Sequence, residues 1–270
     1  MICIEGFVLG ILTLGLALGF GTWDLLALPY YDGRMPLEAL FLDAGGVLIY
    51  PNWYRVSDTL RRHGVPVAAD ALWAAEPYAK RAIDDGVRIT STTDAQRAWL
   101  YMDLVFERAG IERSAAVNAA VRELAAYHAE HNLWEHVGAD VVPALERMRA
   151  AVPKLVVVSN ANGVLHRLFD RVGLTRFFDV ICDSCVEKVE KPDPRYFHLA
   201  LQRSGSRRET TTMVGDLYHV DVIGARNAGL DAILFDPAGM YPEADCERVP
   251  TLAALADVVE QRAASAVGGP

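Results

Sequence analysis

The chain has 270 residues, 52% of them hydrophobic, enough for one large domain or a domain carrying a sizeable insertion. The net charge is −9 and no Lys/Arg-rich run occurs, which argues against a nucleic-acid partner; an acidic protein that handles anions needs a local cation or metal at its site. Four cysteines (Cys3, Cys182, Cys185 and Cys246) are too few and too unevenly spaced for a disulfide framework and fit a reduced, cytoplasmic setting.

Residues 1–34 form an apolar N-terminal extension with no charge between Gly6 and Trp23. A stretch of about 18 apolar residues is just long enough for a membrane helix. Gly6/Gly10 and Gly15/Gly19 have the small-xxx-small spacing that permits close helix contact. Glu5 is the only early charge, and Arg34 beyond the stretch places the main body on the cytoplasmic side. Three readings stand here: a membrane anchor, an over-extended start with Met35 as the functional first residue, or a secretory signal. Any membrane contact is expected through this segment alone.

The first short apolar run covers 39–43 and passes straight into Asp43-Ala44-Gly45-Gly46. Helical patterns then follow one another without a strand, over 53–62, 69–83, 94–109 and 114–131. The last sets Val117, Ala120, Val121, Leu124 and His128 on one face. After that, helix and strand alternate. A helix at 140–149 precedes a strand at 155–159, and a helix at 164–172 stops at Gly173. A weaker strand at 178–182 leads to a helix at 194–202, which opens on Pro194. A strand at 211–216, a helix at 220–227 stopping at Gly229, a strand at 232–235 and a helix at 252–262 complete the series. This alternation predicts a parallel sheet with helices on both sides. The strand-free interval predicts a helical domain inserted over the site.

Ligands of an open parallel sheet bind at the carboxyl ends of its strands. Those ends carry Asp43, Ser159-Asn160 and Gly215-Asp216, and the loop Lys188-Val189-Glu190-Lys191-Pro192-Asp193-Pro194 adds a lysine. Two carboxylates at neighbouring strand ends suit a hard cation such as Mg²⁺. A hydroxyl, backbone N–H groups and a lysine suit phosphate oxygens. Asp43 is then placed to attack phosphorus, with metal and Lys191 neutralising the developing charge. Cys182 and Cys185 form a Cys-x-x-Cys without a second pair and read as structural. Lys188, His128 and His131 read as surface or packed residues, and Trp73, Tyr78, Trp99 and Tyr101 mostly as core of the helical insertion, with one or two of these aromatics left to face the cleft.

Four motifs in order carry a specific resemblance. They are Asp43-Ala44-Gly45-Gly46-Val47-Leu48, Val157-Val158-Ser159-Asn160-Ala161-Asn162, Lys191-Pro192-Asp193-Pro194, and Val214-Gly215-Asp216 with Asp221. The chain resembles the haloacid dehalogenase-like hydrolase superfamily, in the branch with a helical cap after the first strand. The resemblance implies an α/β fold: a doubly wound parallel sheet (Rossmann-like) core, 35–51 with 133–270, and an inserted α-helical cap, 52–132. It implies Asp43 as nucleophile and metal ligand, with Gly45 offering a backbone carbonyl to the metal. Ser159 and Asn160 become the phosphate-binding pair, Lys191 the lysine holding nucleophile and phosphoryl oxygens, and Asp216 and Asp221 the acidic metal residues. The implied activity is a Mg²⁺-dependent phosphatase acting on a small phosphorylated metabolite through an aspartyl-phosphate; the oligomeric state is open.

Gly45 departs from the pattern. Most phosphatases of the family carry there a second aspartate that protonates the leaving group and later activates water. General acid–base catalysis is worth about 10²–10⁴-fold in rate. Three outcomes are open: a preference for leaving groups that need little protonation; a substitute acid from Tyr50, Tyr218, His219 or the cap; or a slow or inactive protein. A 2-haloacid dehalogenase also uses an aspartate nucleophile and tolerates Gly45, but it uses no metal and typically lacks the Gly-Asp seen at 215–216. A weakly active or non-catalytic binding protein is the third reading.

Overall fold

The computed structural model describes residues 35–264; the N-terminal extension, with its anchor, start-site and signal readings, lies outside the described residues. No described helix is long and apolar enough to cross a membrane.

Strand β1, Ala39–Leu42, sets the architecture. Its four residues are fully buried; Leu40 and Leu42 face one apolar cluster, Ala39 and Phe41 another on the opposite side. That is period-two geometry in a strand covered on both faces. The same rule builds β2 (Lys154–Ser159), β3 (Val180–Asp183), β4 (Thr211–Gly215) and β5 (Asp231–Phe235). With β6 (Glu247–Val249) they form one fully parallel sheet in the order β3-β2-β1-β4-β5-β6. This is the doubly wound α/β arrangement expected from the sequence. The order reverses between β1 and β4, where the crevice of such a sheet opens.

Helices α6 (Val141–Ala151), α7 (Leu165–Val172) and α11 (Leu252–Ala264) pack on the Leu40/Leu42 face. Helices α9 (Pro194–Ser204) and α10 (Ile223–Asn227) pack on the Phe41 face. Pro194 stands at the first position of α9, behind an Asp193 side chain that accepts from the Arg195 N–H. Gly173 closes α7 in the left-handed conformation, as its sequence position predicts.

Between β1 and α6 the chain is helical: α1 (Trp53–Arg62), α2 (Ala69–Ile83), α3 (Gly86–Ser91), α4 (Asp94–Arg108) and α5 (Ala115–His131). Of these, α1, α2, α4 and α5 share their own apolar cluster, built on Trp53, Leu60, Leu72, Val105, Phe106 and Leu124. Asn52, Thr93 and Ser114 cap α1, α4 and α5 through side-chain oxygens, and Thr93 forms a full capping box with Gln96. Each such cap stabilises by about 1 kcal/mol.

Three short elements escape the sequence pattern: α3, α8 (Ser184–Glu187) and β6. Helix α3 starts on glycine and holds Val87, Ile89 and Thr92 nearby, all poor helix formers. Two of the three β6 residues are exposed and charged, as edge strands often are. Residues 218–222 form a wide π-type turn leading into α10, where a plain helix was expected to start at Val220. Such turns concentrate at functional sites.

Candidate active site

The register aligns Leu42 of β1 with Val157 of β2 and with Val214 of β4. Asp43 therefore emerges beside Gly215, with Asp216 one residue further on, at the point where strand order reverses. The Asp43 N–H donates to the Val214 carbonyl at 2.9 Å, which ties the two strand ends together. One oxygen each from Asp43, Asp216 and Asp221 lies within 4.8 Å of the others, and all three residues are buried. Six of the predicted site residues, Asp43, Gly45, Ser159, Asn160, Lys191 and Asp216, line one cavity of about 930 Å³ beneath the helical block. Asp221 stands behind them, fully buried.

Lys191 organises the carboxylates. Its fully buried ammonium sits 2.7 Å from Asp221 Oδ1 and 3.0 Å from Asp43 Oδ1. Burial alone would lower its pKa, but the charges of Asp221 and Asp43 outweigh it and hold the lysine above its usual range. Burial raises the Asp221 carboxyl to about 7, with Lys191 opposing and Asp43 and Asp216 reinforcing the rise. Asp216 is raised for the same leading reason, with a lysine from the helical block opposing.

That second lysine was not foreseen. Lys80 on α2 reaches down to 2.9 Å from Asp216 Oδ2 and holds Glu76 at 3.0 Å. Glu76 is itself buried and accepts from the Trp53 indole at 3.0 Å. Burial pulls the Lys80 pKa down; Asp216 and Glu76 override it and push it above the usual lysine value. The sequence signal was a Glu/Lys pair four apart on α2, a pattern that ordinarily marks a solvated helix face.

Two glycines make room for this cluster. Gly46 has φ +78°, and a Cβ there would lie 1.9 Å from Asp216 Oδ2 and 2.6 Å from Lys80 Nζ. A Cβ on Gly215 would lie 2.1 Å from Asp221 Cγ. Gly45 is different: its φ is ordinary, and a Cβ would meet only the Trp134 ring, at 3.5 Å. The tight glycine of motif one is thus Gly46, while position 45 has space for a side chain.

Asn160 has its amide committed to Lys191. Its Nδ2 donates to the Lys191 carbonyl at 3.0 Å and its Oδ1 accepts from the Lys191 N–H at 2.8 Å. Ser159 is buried, and its Oγ has only a 3.5 Å contact to the Asn160 carbonyl. The Asp94 carboxylate on α4 lies 3.4 Å from Asn160 Nδ2, and the Asp94 backbone N–H donates to Glu190 Oε1 of the Lys191 loop at 3.1 Å. Burial raises the Asp94 carboxyl, with Arg97 opposing. The substitute acids named from sequence stand elsewhere. Tyr218 donates to exposed Asp245, His219 Nδ1 lies 3.3 Å from Asp84, and the Tyr50 ring lies under Lys80; none of the three lines the cavity. Lys188, expected as plain surface, is exposed but borders the cavity, and His128 and Cys185 also line it. Of the aromatics, Trp99 and Tyr101 face it; Trp73 packs against Tyr50 and Trp53, and Tyr78 lies under Arg108.

Comparison with known proteins meets this geometry. A family model for haloacid dehalogenase-like hydrolases matches residues 37–229, and the chain belongs to that family; it is a hydrolase. It is 30% identical over 215 residues to haloacid dehalogenase-like hydrolase domain-containing protein 3 of Bos taurus, covering 74% of this chain and 82% of that one. It is 30% identical to a phosphoserine phosphatase of Thermus thermophilus, covering 68% and 70%. A magnesium-bound HAD-hydrolase of Bacillus subtilis shares the fold, with TM-score 0.61 at 17% identity over 83% of this chain and 99% of that one.

Proposed function

We propose that the chain is a Mg²⁺-dependent phosphomonoester hydrolase acting on a small phosphorylated metabolite through an aspartyl-phosphate on Asp43. One observation carries the reading: three buried carboxylates, Asp43, Asp216 and Asp221, gathered at the sheet's switch point with Lys191 bridging two of them. The donor set fits a hard dication. Four buried carboxylates, Asp43, Asp216, Asp221 and the Glu76 that shares Lys80, face two lysines, Lys191 and Lys80, so acids outnumber cations in the buried site. Oxygen-only ligands match Mg²⁺. Asp43, the Gly45 carbonyl and Asp216 would hold it, backed by Asp221. When bound, it supplies charge neutralisation for the phosphoryl oxygens.

The chain's own residues perform the remaining work. Asp43 Oδ2 is left as nucleophile, because Oδ1 is engaged by Lys191 at 3.0 Å and by the Ala44 N–H at 2.7 Å. Lys191 holds Asp43 in place through its Oδ1 contact and presents positive charge where the phosphoryl group transfers. Asn160 fixes the Lys191 backbone, so its role here is to position the lysine. The Ser159 hydroxyl is free to meet a phosphoryl oxygen. The helical block 53–131 acts as the cap that shields this chemistry from water. The carboxylate cluster weighs against a dehalogenase, which has no use for the metal residues. It also weighs against a binding protein, since three buried acids burden a fold that does not use them.

Release of inorganic phosphate from aryl and alkyl phosphates, with Mg²⁺ and with EDTA, tests the reading. Turnover is expected only with Mg²⁺, and Asp43→Asn should lower it at least about 10³-fold, as loss of a nucleophile does. Absence of turnover with every phosphate ester in Mg²⁺ would sink the proposal.

A further inference from the structure

The leaving group must depart past position 45, and the cavity wall there is aromatic. A side chain on Gly45 would point at the Trp134 indole. Trp134 lies 5.9 Å from the Tyr101 ring and 5.5 Å from His128, centroid to centroid, so three rings follow one another along this wall. Met102, Val121 and Leu124 continue the apolar lining across α4 and α5. The volume of about 930 Å³ is near the top of the range of roughly 300–1,000 Å³ that holds drug-sized ligands. A three-carbon phosphate would leave most of it unfilled.

These features fit one class of ester. An alkoxide leaves poorly without a proton, since its conjugate alcohol is about as weak an acid as water. A phenol-type hydroxyl ionises near 10. It leaves as an anion with far less help, and its ring stacks on aromatic walls. Resting on the phosphatase reading above, we propose that the substrate is a phosphate monoester of a phenol-type hydroxyl carried on a bulky apolar ring system, bound along the Tyr101–Trp134–His128 wall.

The step balances without an acid at position 45. Asp43 Oδ2 forms a bond to phosphorus as the P–O(aryl) bond breaks, and the electron pair leaves with the aryloxide, which takes its proton from solvent. Water then attacks phosphorus, the acyl-phosphate P–O bond breaks, Asp43 returns as carboxylate, and the water proton leaves with phosphate. Nothing is oxidised or reduced.

The test compares 2-naphthyl phosphate, phenyl phosphate, 2-cyclohexylethyl phosphate and phosphoserine with the full-length protein in Mg²⁺. Expected is a kcat/KM for 2-naphthyl phosphate at least about 10-fold above phenyl phosphate, and at least about 100-fold above the equally bulky alkyl ester. Trp134→Leu should compress the naphthyl-to-phenyl preference several-fold. Should that variant fail to fold, Val121→Phe, which narrows the chamber, should lower the same ratio. If phosphoserine or the alkyl ester matches the naphthyl ester, the inference is overturned while the phosphatase reading stands. If no ester is turned over, both fall.

Discussion

At the strand ends, Asp43 and Asp216 are set by a hydrogen-bonded ladder whose register leaves little freedom, and Lys191 is fixed to the end of β2 by two hydrogen bonds between its backbone and the Asn160 amide. In the helical block above, Tyr101, Met102 and Leu124 are set by packing in an apolar cluster and serve the cavity with the same side chains. The floor concentrates charge and is buried at electrostatic cost; the roof concentrates apolar area and is stabilised by the burial itself. A change in the floor should therefore act on chemistry, and a change in the roof on choice of substrate. Lys80 breaks this division, since it belongs to the roof by sequence and to the floor by contact.

Removing Lys80 is the strongest way to break the comparison. Lys80→Met leaves Asp216 and Glu76 without their shared cation. Breaking a buried pair costs about 3–5 kcal/mol, and the lower end applies because the Lys80 side chain is 19% exposed. The expected result is a clear fall in melting temperature in EDTA that shrinks in Mg²⁺, since a dication can meet Asp216 instead. An equal fall in both buffers would mean that Lys80 holds the roof alone and has no bearing on the floor.

Gly45→Asp sharpens the comparison from the other side. A Cβ at this position meets Trp134 at an ordinary contact distance, so the variant should fold. It adds an acid to the floor without touching the roof. Alkyl phosphate turnover should rise about 10-fold, part of the 10²–10⁴ that general acid–base catalysis supplies, with a smaller change on aryl esters. A uniform loss on both ester types would show that position 45 is closed to an acid by the indole beside it.

The same division explains what was legible in the sequence. Most of the floor was readable because Asp43, Ser159 and Asp216 end or follow short buried strands, and an apolar run ending in Asp or Ser is a local signal; Lys191 was readable from its Lys-Pro-Asp-Pro loop. The doubly wound sheet followed from the alternation of strands and helices. The roof was readable as helices, with one or two aromatics expected at the cleft but not which ones. Periodicity marks which face of α4 is apolar, but not that Tyr101 and Met102 line a cavity as well as a core. Lys80 was invisible because a Glu/Lys pair four apart is the ordinary mark of a wet helix; only the approach of α2 to Gly46 and Asp216 gives it another meaning. Edge strand β6 was hidden for a related reason, as Glu247 and Arg248 read as loop until β5 supplies the ladder.

The smallest effect is a dependence of metal stabilisation on pH, and it resides in Asp221. Burial raises this carboxyl to about 7, well above the ordinary range of an aspartate. A raised carboxyl holds its proton in the fold longer than in the open chain. Its stabilising contribution is therefore present below about pH 4 and is lost as pH climbs through about 7. The metal requires the opposite state, because a proton on Asp221 competes with a dication for the cluster. The Mg²⁺-induced rise in melting temperature should then be small at pH 5.5 and several degrees larger at pH 8, following ligand linkage at fixed Mg²⁺. Melts with and without MgCl₂ at the two pH values measure it. An equal gain at both would detach Asp221 from the metal cluster and leave it as a structural partner of Lys191. Lys80→Met should enlarge the gain at both pH values, because the roof's cation no longer competes for Asp216, so the two regions are separable in one set of melts.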